Sequence, residues 1–116
     1  MNDATKEFGT ETAIGNLPRT PIFLDSVWVD TWPTAGDKPP QDLYMGGNSF
    51  GMQRITIARH GSYSGRDAPR NVPAEAKLPG SILIEFADGH AEPTKLETLW
   101  TFNWHRNYQP PATRPR

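Results

Sequence analysis

Alternation of apolar and polar residues marks the strongest element of the chain. Across residues 81–87, Ile82, Ile84 and Phe86 fall on one side and Leu83 and Glu85 on the other, the period of two that sends successive side chains to opposite faces of a strand. This run predicts a strand central in its sheet. Asp88-Gly89 follows it. That pair is a strong hairpin signal, because both central turn positions can require positive φ and these residues tolerate it. A short return strand over residues 90–92 should stop at Pro93, which has no ladder donor. Residues 52–60 repeat the period, with Ile55 and Ile57 against Arg54, Thr56 and Ala58, and predict another strand. Residues 21–32, rich in β-branched and aromatic side chains, predict a third. Its alternation is imperfect, with Ile22, Leu24 and Trp28 beside Ser26 and with Phe23, Val27 and Val29 beside Asp25, so both of its faces should be partly covered.

A helical spacing replaces the strand period after Pro93. Thr94 and Glu97 fit a capping box, and Leu96, Leu99 and Trp100 recur at three and four residues, which predicts one or two helical turns docked on the sheet. Phe102, Trp104 and Tyr108 continue as an aromatic tail before Pro110-Pro111. Residues 33–51 hold Pro39-Pro40 and Gly46-Gly47, and residues 61–79 are again rich in glycine, proline and serine. Both predict long loops, the first anchored inward by Leu43, Tyr44 and Met45. The expected fold is α+β: a small antiparallel β-sheet with a short C-terminal helix and long irregular loops, and Ile55, Ile57, Ile82, Ile84 and Phe86 facing one core. Residues 1–19 read as a draped arm, 20–109 as a single β-rich domain, and 110–116 as a proline and arginine tail.

Composition narrows the partners. The chain has 116 residues, and only 35% of them are apolar, while 12 prolines and 10 glycines argue against an all-helical bundle. A net charge of −1, with 12 basic and 13 acidic residues dispersed, creates no field that would recruit nucleic acid or an anionic membrane. There is no cysteine, hence neither disulfide nor thiolate chemistry. No apolar run approaches the length of a membrane span, and the start at Met1 carries no basic-then-apolar leader.

The candidate chemistry is sparse. His60, Asp88 and His90, with Asp25, offer imidazole and carboxylate ligands suited to zinc or another transition metal, whereas calcium would want carboxylates and carbonyls without the histidines. The competing structural reading makes Asp88 a turn residue and His60 a strand-end residue. His60 with Asp25 or Asp88 also has the makings of a general base, but Ser62, Ser64 and Ser81 stand in ordinary loop contexts and no nucleophile elbow is present. Gly46-Gly47 and Gly61-Ser62 lack the lysine of a phosphate loop. Trp28, Trp32 and Trp104 suit a lipid interface, a partner protein, a sugar or the core, and Trp100 suits the core.

Taken together, Asp25 after Ile22-Phe23-Leu24, the Arg59-His60-Gly61 element, and Phe86-Ala87-Asp88-Gly89-His90 followed by Leu96 and Leu99-Trp100 carry a family resemblance. Residues 21–105 resemble the C-terminal part of bacterial prepilin-like proteins known for a His, nine residues, then Asp-Gly signature. Here residues 61–87 stand between His60 and Asp88, as if the loop had been inserted between neighbouring strands. Loop lengthening is cheap, each doubling costing about 0.6 kcal/mol, so His60 is expected beside the Asp88-Gly89 turn. The resemblance implies a noncatalytic, pilin-head-like domain of a type IV pilin-like or type II secretion pseudopilin-like assembly protein. It implies protein partners and a periplasmic, cell-surface or extracellular place. Such proteins are anchored by a long apolar N-terminal helix, and this chain opens on the polar Met1-Asn2-Asp3-Ala4. No cofactor is expected, and no membrane contact for this segment. The alternatives are a small metal-dependent or His/Asp hydrolase and a carbohydrate or surface-adhesion module.

Overall fold

The strand expected from the clearest alternation is the centre of the sheet. The computed structural model describes residues 16–27, 31–47, 51–61 and 65–116. In chain order its strands are β1 (Pro21–Leu24), β2 (Ser81–Phe86) and β3 (Ala91–Lys95), all antiparallel, with β2 in the middle. Ile82, Ile84 and Phe86 are buried and Leu83 and Glu85 exposed, as the period of two requires. The inner face joins Leu43, Met52, Ile55, Ile57, Leu96, Leu99, Trp100 and Phe102 in one core. A small three-stranded antiparallel sheet with few helical segments is compatible with a small α+β domain, but among the described residues those segments are all 3₁₀, and the expected short C-terminal helix is the 3₁₀ segment Leu96–Thr101.

The hairpin between β2 and β3 differs in detail from the expected two-residue turn. Phe86 N–H donates to the His90 carbonyl at 2.8 Å and Gly89 N–H to the Phe86 carbonyl at 2.9 Å, so the loop has three residues, 87–89. Only Gly89 is left-handed, at φ +92°, and no described residue other than glycine has positive φ. A three-residue loop closed by a left-handed glycine needs it there alone. Pro93 does not end β3. Leu83 directs its own N–H and carbonyl toward β1, to Asp25. The Leu83–Pro93 pair is therefore not a hydrogen-bonded one, and the missing donor of Pro93 falls on the open edge.

Three further expectations are corrected. Residues 52–60 are not a strand. Met52–Arg54 is a 3₁₀ turn, Thr56 donates from both its N–H and its hydroxyl to the Met52 carbonyl at 2.9 and 2.7 Å, and Ile57 and Arg59 donate to carbonyls two residues back. Donors spent on local turns build no ladder: Arg59 shares its N–H with the Ser81 carbonyl at 3.2 Å, and only an isolated bridge joins His60 to Ser81. Ile55, Thr56, Ile57 and Ala58 are all buried, so the alternation there did not report a solvent face. Strand β1 covers only the first four residues of the expected 21–32, with a bulge between Pro21 and Phe23. The expected capping box is absent as well. Thr94 lies within β3, and Glu97 bonds away from the turn it was to cap.

The long loops are ordered by acidic side chains. Asp37 accepts from Thr34 N–H and hydroxyl and from Met52 N–H, at 2.9, 2.6 and 3.0 Å, and its carbonyl accepts from the Trp100 indole at 2.8 Å. Asp42 accepts from the N–H groups of Tyr44 and Met45 and meets the Arg70 guanidinium at 3.0 Å. The loops also hold each other, Leu43 N–H donating to the Pro69 carbonyl and Val72 N–H to the Gln41 carbonyl, both at 2.9 Å.

The described part of the arm and the C-terminal tail are both docked on the domain. The Asn103 N–H donates to the Arg19 carbonyl at 2.8 Å, and the Arg19 guanidinium reaches Thr101. Arg114, in the segment read as a tail, is buried against Glu97 and the carbonyls of Ala74 and Ala76 at 2.8–2.9 Å.

Candidate functional site: the edge and tip of strand β2

The signature residues gather at opposite ends of β2. At its beginning, Ser81 exchanges hydrogen bonds with His60, each N–H donating to the other's carbonyl at 3.0 Å. Asp25, one residue past β1, donates its N–H to the Leu83 carbonyl at 3.3 Å, and its Oδ2 accepts the Leu83 N–H at 2.9 Å. The side chain thus supplies the acceptor that a longer β1 would have supplied from its backbone. His60 Nε2 approaches the same Oδ2 to 3.1 Å. One edge of β2 is therefore completed by two pieces distant in sequence, tied together through a carboxylate.

Gly61 and Arg59 shape this junction. Gly61 is left-handed at φ +88°, turning the chain away after its bridge to Ser81. Arg59 extends its guanidinium over the Tyr44 ring, 5.5 Å from the centroid, and leaves Nη1 buried without a hydrogen-bond partner.

A second cluster sits on the hairpin tip, beyond the other end of β2. Asp88 Oδ1 accepts the His90 N–H at 3.1 Å and contacts His90 Nδ1, while Glu92 Oε1 lies 3.8 Å from His90 Nε2. The His90 ring stacks on Phe86, with centroids 4.6 Å apart and planes 9° from parallel. The Asp88 hydrogen bond raises the His90 pKa above its ordinary value, and the reciprocal bond lowers that of Asp88. Phe86 carries the packing inward to Phe102, whose ring lies under the Arg19 guanidinium.

His60 consequently does not lie beside Asp88-Gly89. Its bridge partner Ser81 opens β2 and Asp88 follows the end of that strand, about 17 Å away at the rise of extended chain. Residues 52–60 do not pair along β2 beyond the single bridge at Ser81, so nothing carries His60 toward the hairpin tip. The four metal candidates divide into His60 with Asp25 and His90 with Asp88. Among the described residues no group of three His, Cys, Asp or Glu side chains is arranged to hold a metal ion.

The tryptophans are mostly structural. Trp100 is buried beneath Arg114, and Trp104 is half-buried with its indole N–H on the Leu99 carbonyl at 2.7 Å. Trp32 is half-buried, with its indole nitrogen enclosed and unbonded. Trp28 lies outside the described residues. Tyr108 closes this side by donating to the Trp100 carbonyl at 2.7 Å, and burial pushes its hydroxyl up to about 12.

Sequence reading missed the Asp37 and Asp42 anchors and the Glu97–Arg114 pair. Asp42-x-Tyr44 could have been read as an aspartate turn. The partner of Glu97 could not, because a capping motif is local while Arg114 arrives from outside its helical turn. Burial raises the Glu97 pKa, but Arg114 and the Leu78 N–H outweigh it and hold the carboxyl below its ordinary value. Asp42 behaves alike, with the Met45 and Tyr44 N–H groups and Arg70 overcoming desolvation. No helix among the described residues is long and apolar enough to cross a membrane. No protein-family model, curated protein or solved structure matches this chain.

Proposed function

We propose that this chain is a noncatalytic head domain of a pilin-like or pseudopilin-like assembly protein, placed in the periplasm, at the cell surface or outside the cell. One observation carries the reading: the signature residues are engaged in holding the sheet. Asp25 substitutes for a ladder acceptor, His60 bridges Ser81, Gly89 makes the turn, His90 stacks on Phe86, and Trp100 fills the core. General-base chemistry needs a nucleophile within hydrogen-bond reach of the imidazole. Here the described contact of His60 Nε2 is the Asp25 carboxylate. An assembly role instead uses surface, and the sheet turns Phe23 and Leu83, 67% and 45% exposed, toward solvent.

Fractionation of the native host carrying an epitope-tagged, full-length gene product tests the proposal. The protein should be recovered with the envelope or sheared surface material and crosslink to other pilin-like proteins there. Recovery as a freely soluble cytoplasmic protein would overturn it. So would a hydrolytic activity lost in His60→Ala at an unchanged melting temperature.

A further inference from the structure

Strand register defines the solvent face of the sheet. Leu83 stands opposite Pro93, Glu85 lies between Phe23 and Ala91, and Ser81 lies opposite Lys95 with His60 on its other side. Apolar side chains therefore occupy the middle, with Lys95 at one end and Glu85 at the other. At the lysine end the face runs into a groove of about 360 Å³, whose walls include Leu78, Pro79 and Pro93 and whose rim carries Lys77 and Lys95.

The free charge of this groove has one sign. Glu97 also lines it, but both carboxylate oxygens are engaged, one by Arg114 at 2.8 Å and one by the Leu78 N–H at 2.7 Å. Lys77 and Lys95 are exposed, and neither ammonium has a carboxylate partner among the described residues. Two unpaired cations over apolar walls complement carboxylates attached to an aliphatic chain.

Area and edge chemistry choose among occupants. Three strands about 4.8 Å apart and five residues long present roughly 250 Å², so a face-to-face pair would bury roughly 500 Å², well short of the 1,200 Å² or so at which stable interfaces begin. A second copy is therefore a poor occupant. Strand addition along β3 is interrupted at Pro93, which offers no N–H on the open edge. Recognition must run through side chains.

Resting on the reading of this domain as an assembly module, we infer that the groove and the adjoining Leu83–Pro93 surface dock an extended, acidic and aliphatic peptide segment of a partner protein. Its carboxylates sit between Lys77 and Lys95, and its aliphatic side chains lie on Leu78, Pro79, Leu83 and Pro93. Glu85 at the far end repels a further acidic residue and fixes the position of the segment.

Fluorescence anisotropy with a labelled octapeptide of two glutamates followed by aliphatic residues tests this. It should bind at least about tenfold more tightly than the same peptide with glutamines, and added salt should weaken it. Lys77→Glu with Lys95→Glu should remove that preference, Lys77→Gln with Lys95→Gln should remove it also, and Lys38→Glu, at an exposed lysine that does not line the groove, should leave it intact, all at unchanged melting temperature. Equal binding of the two peptides, no binding at millimolar concentration, or indifference to the lysine changes would overturn the inference. So would equal binding of a thymidine oligonucleotide, which would reduce the groove to unspecific cation attraction. A dimer in sedimentation equilibrium that Leu83→Glu dissolves would assign the face to a second copy. None of these failures alters where the protein is found in the cell, so the assembly reading stands or falls separately.

Discussion

Neighbouring residues of β2 should differ sharply in what they contribute. Ile84 is buried in the core while Glu85 is exposed. Ile84→Ala should cost about 2–5 kcal/mol through lost transfer energy and the cavity left behind, and Glu85→Ala should stay within about 0.5 kcal/mol. Urea unfolding of both variants checks this, and equal costs would contradict the facing. The hairpin tip makes a prediction in pH. Because the His90 pKa is raised above 6.5, its contribution is full below that value and is lost as pH rises through the folded value. Because the Asp88 pKa is lowered below 3.8, its contribution is present above that value and lost as pH falls through the folded one. The melting-temperature gap between the native chain and His90→Gln should thus be widest between pH 3.8 and 6.5 and close at alkaline pH. NMR titration of His90 should give a value above 6.5 that falls in Asp88→Asn, and an unmoved value would remove the pair as its cause.

At the level of elements, two left-handed glycines separate backbone strain from crowding. Gly89, at φ +92°, has open space where a Cβ would stand, whereas at Gly80, φ +85°, a Cβ would come within 2.7 Å of the Ala58 Cβ. Gly89→Ala should cost about 1–2 kcal/mol for the left-handed conformation alone, and Gly80→Ala measurably more, because the β2 entry must also move. Thermal melts of the two variants would expose an error if Gly89→Ala were the more damaging. These elements also mark how far the sequence could be read. The strand of Ile82, Ile84 and Phe86 and its Asp-Gly reversal were legible because alternation and turn chemistry are local. Residues 52–60 were not, since Ile55 and Ile57 alternate with Thr56 and Ala58, which are equally buried. Periodicity cannot distinguish a strand from a chain surrounded on every side. Nor did any local signal say that Asp25 would stand in for an acceptor on β2, or that His60 would join it there and not at Asp88.

For the whole molecule, Arg114 joins parts that the sequence presents as unrelated. Its guanidinium binds Glu97 in the 3₁₀ segment Leu96–Thr101 and the carbonyls of Ala74 and Ala76 in the long loop, and lies over Trp100. Arg114 is the buried member of a pair whose Glu97 still reaches solvent, so Arg114→Met leaves Glu97 and the loop carbonyls without their donor and should cost about 1–3 kcal/mol. Arg114→Lys should recover only part, because a lysine ammonium has fewer donors and no planar fork. Denaturant midpoints would refute this if Arg114→Met proved neutral. The two ladders of the sheet differ in another respect. A loop of three residues joins β2 to β3, but β1 reaches β2 from across more than fifty residues of chain. Hairpins close in about 1–10 μs, whereas contacts distant in sequence wait for the intervening chain to organise. The two sides of one strand should therefore become protected at different times. In pulsed hydrogen exchange during refolding, the amides of Ile82 and Ile84, which face β3, should be shielded before that of Leu83, which waits for the Asp25 carboxylate. Simultaneous protection of all three would mean that β1 is already in place when the hairpin forms.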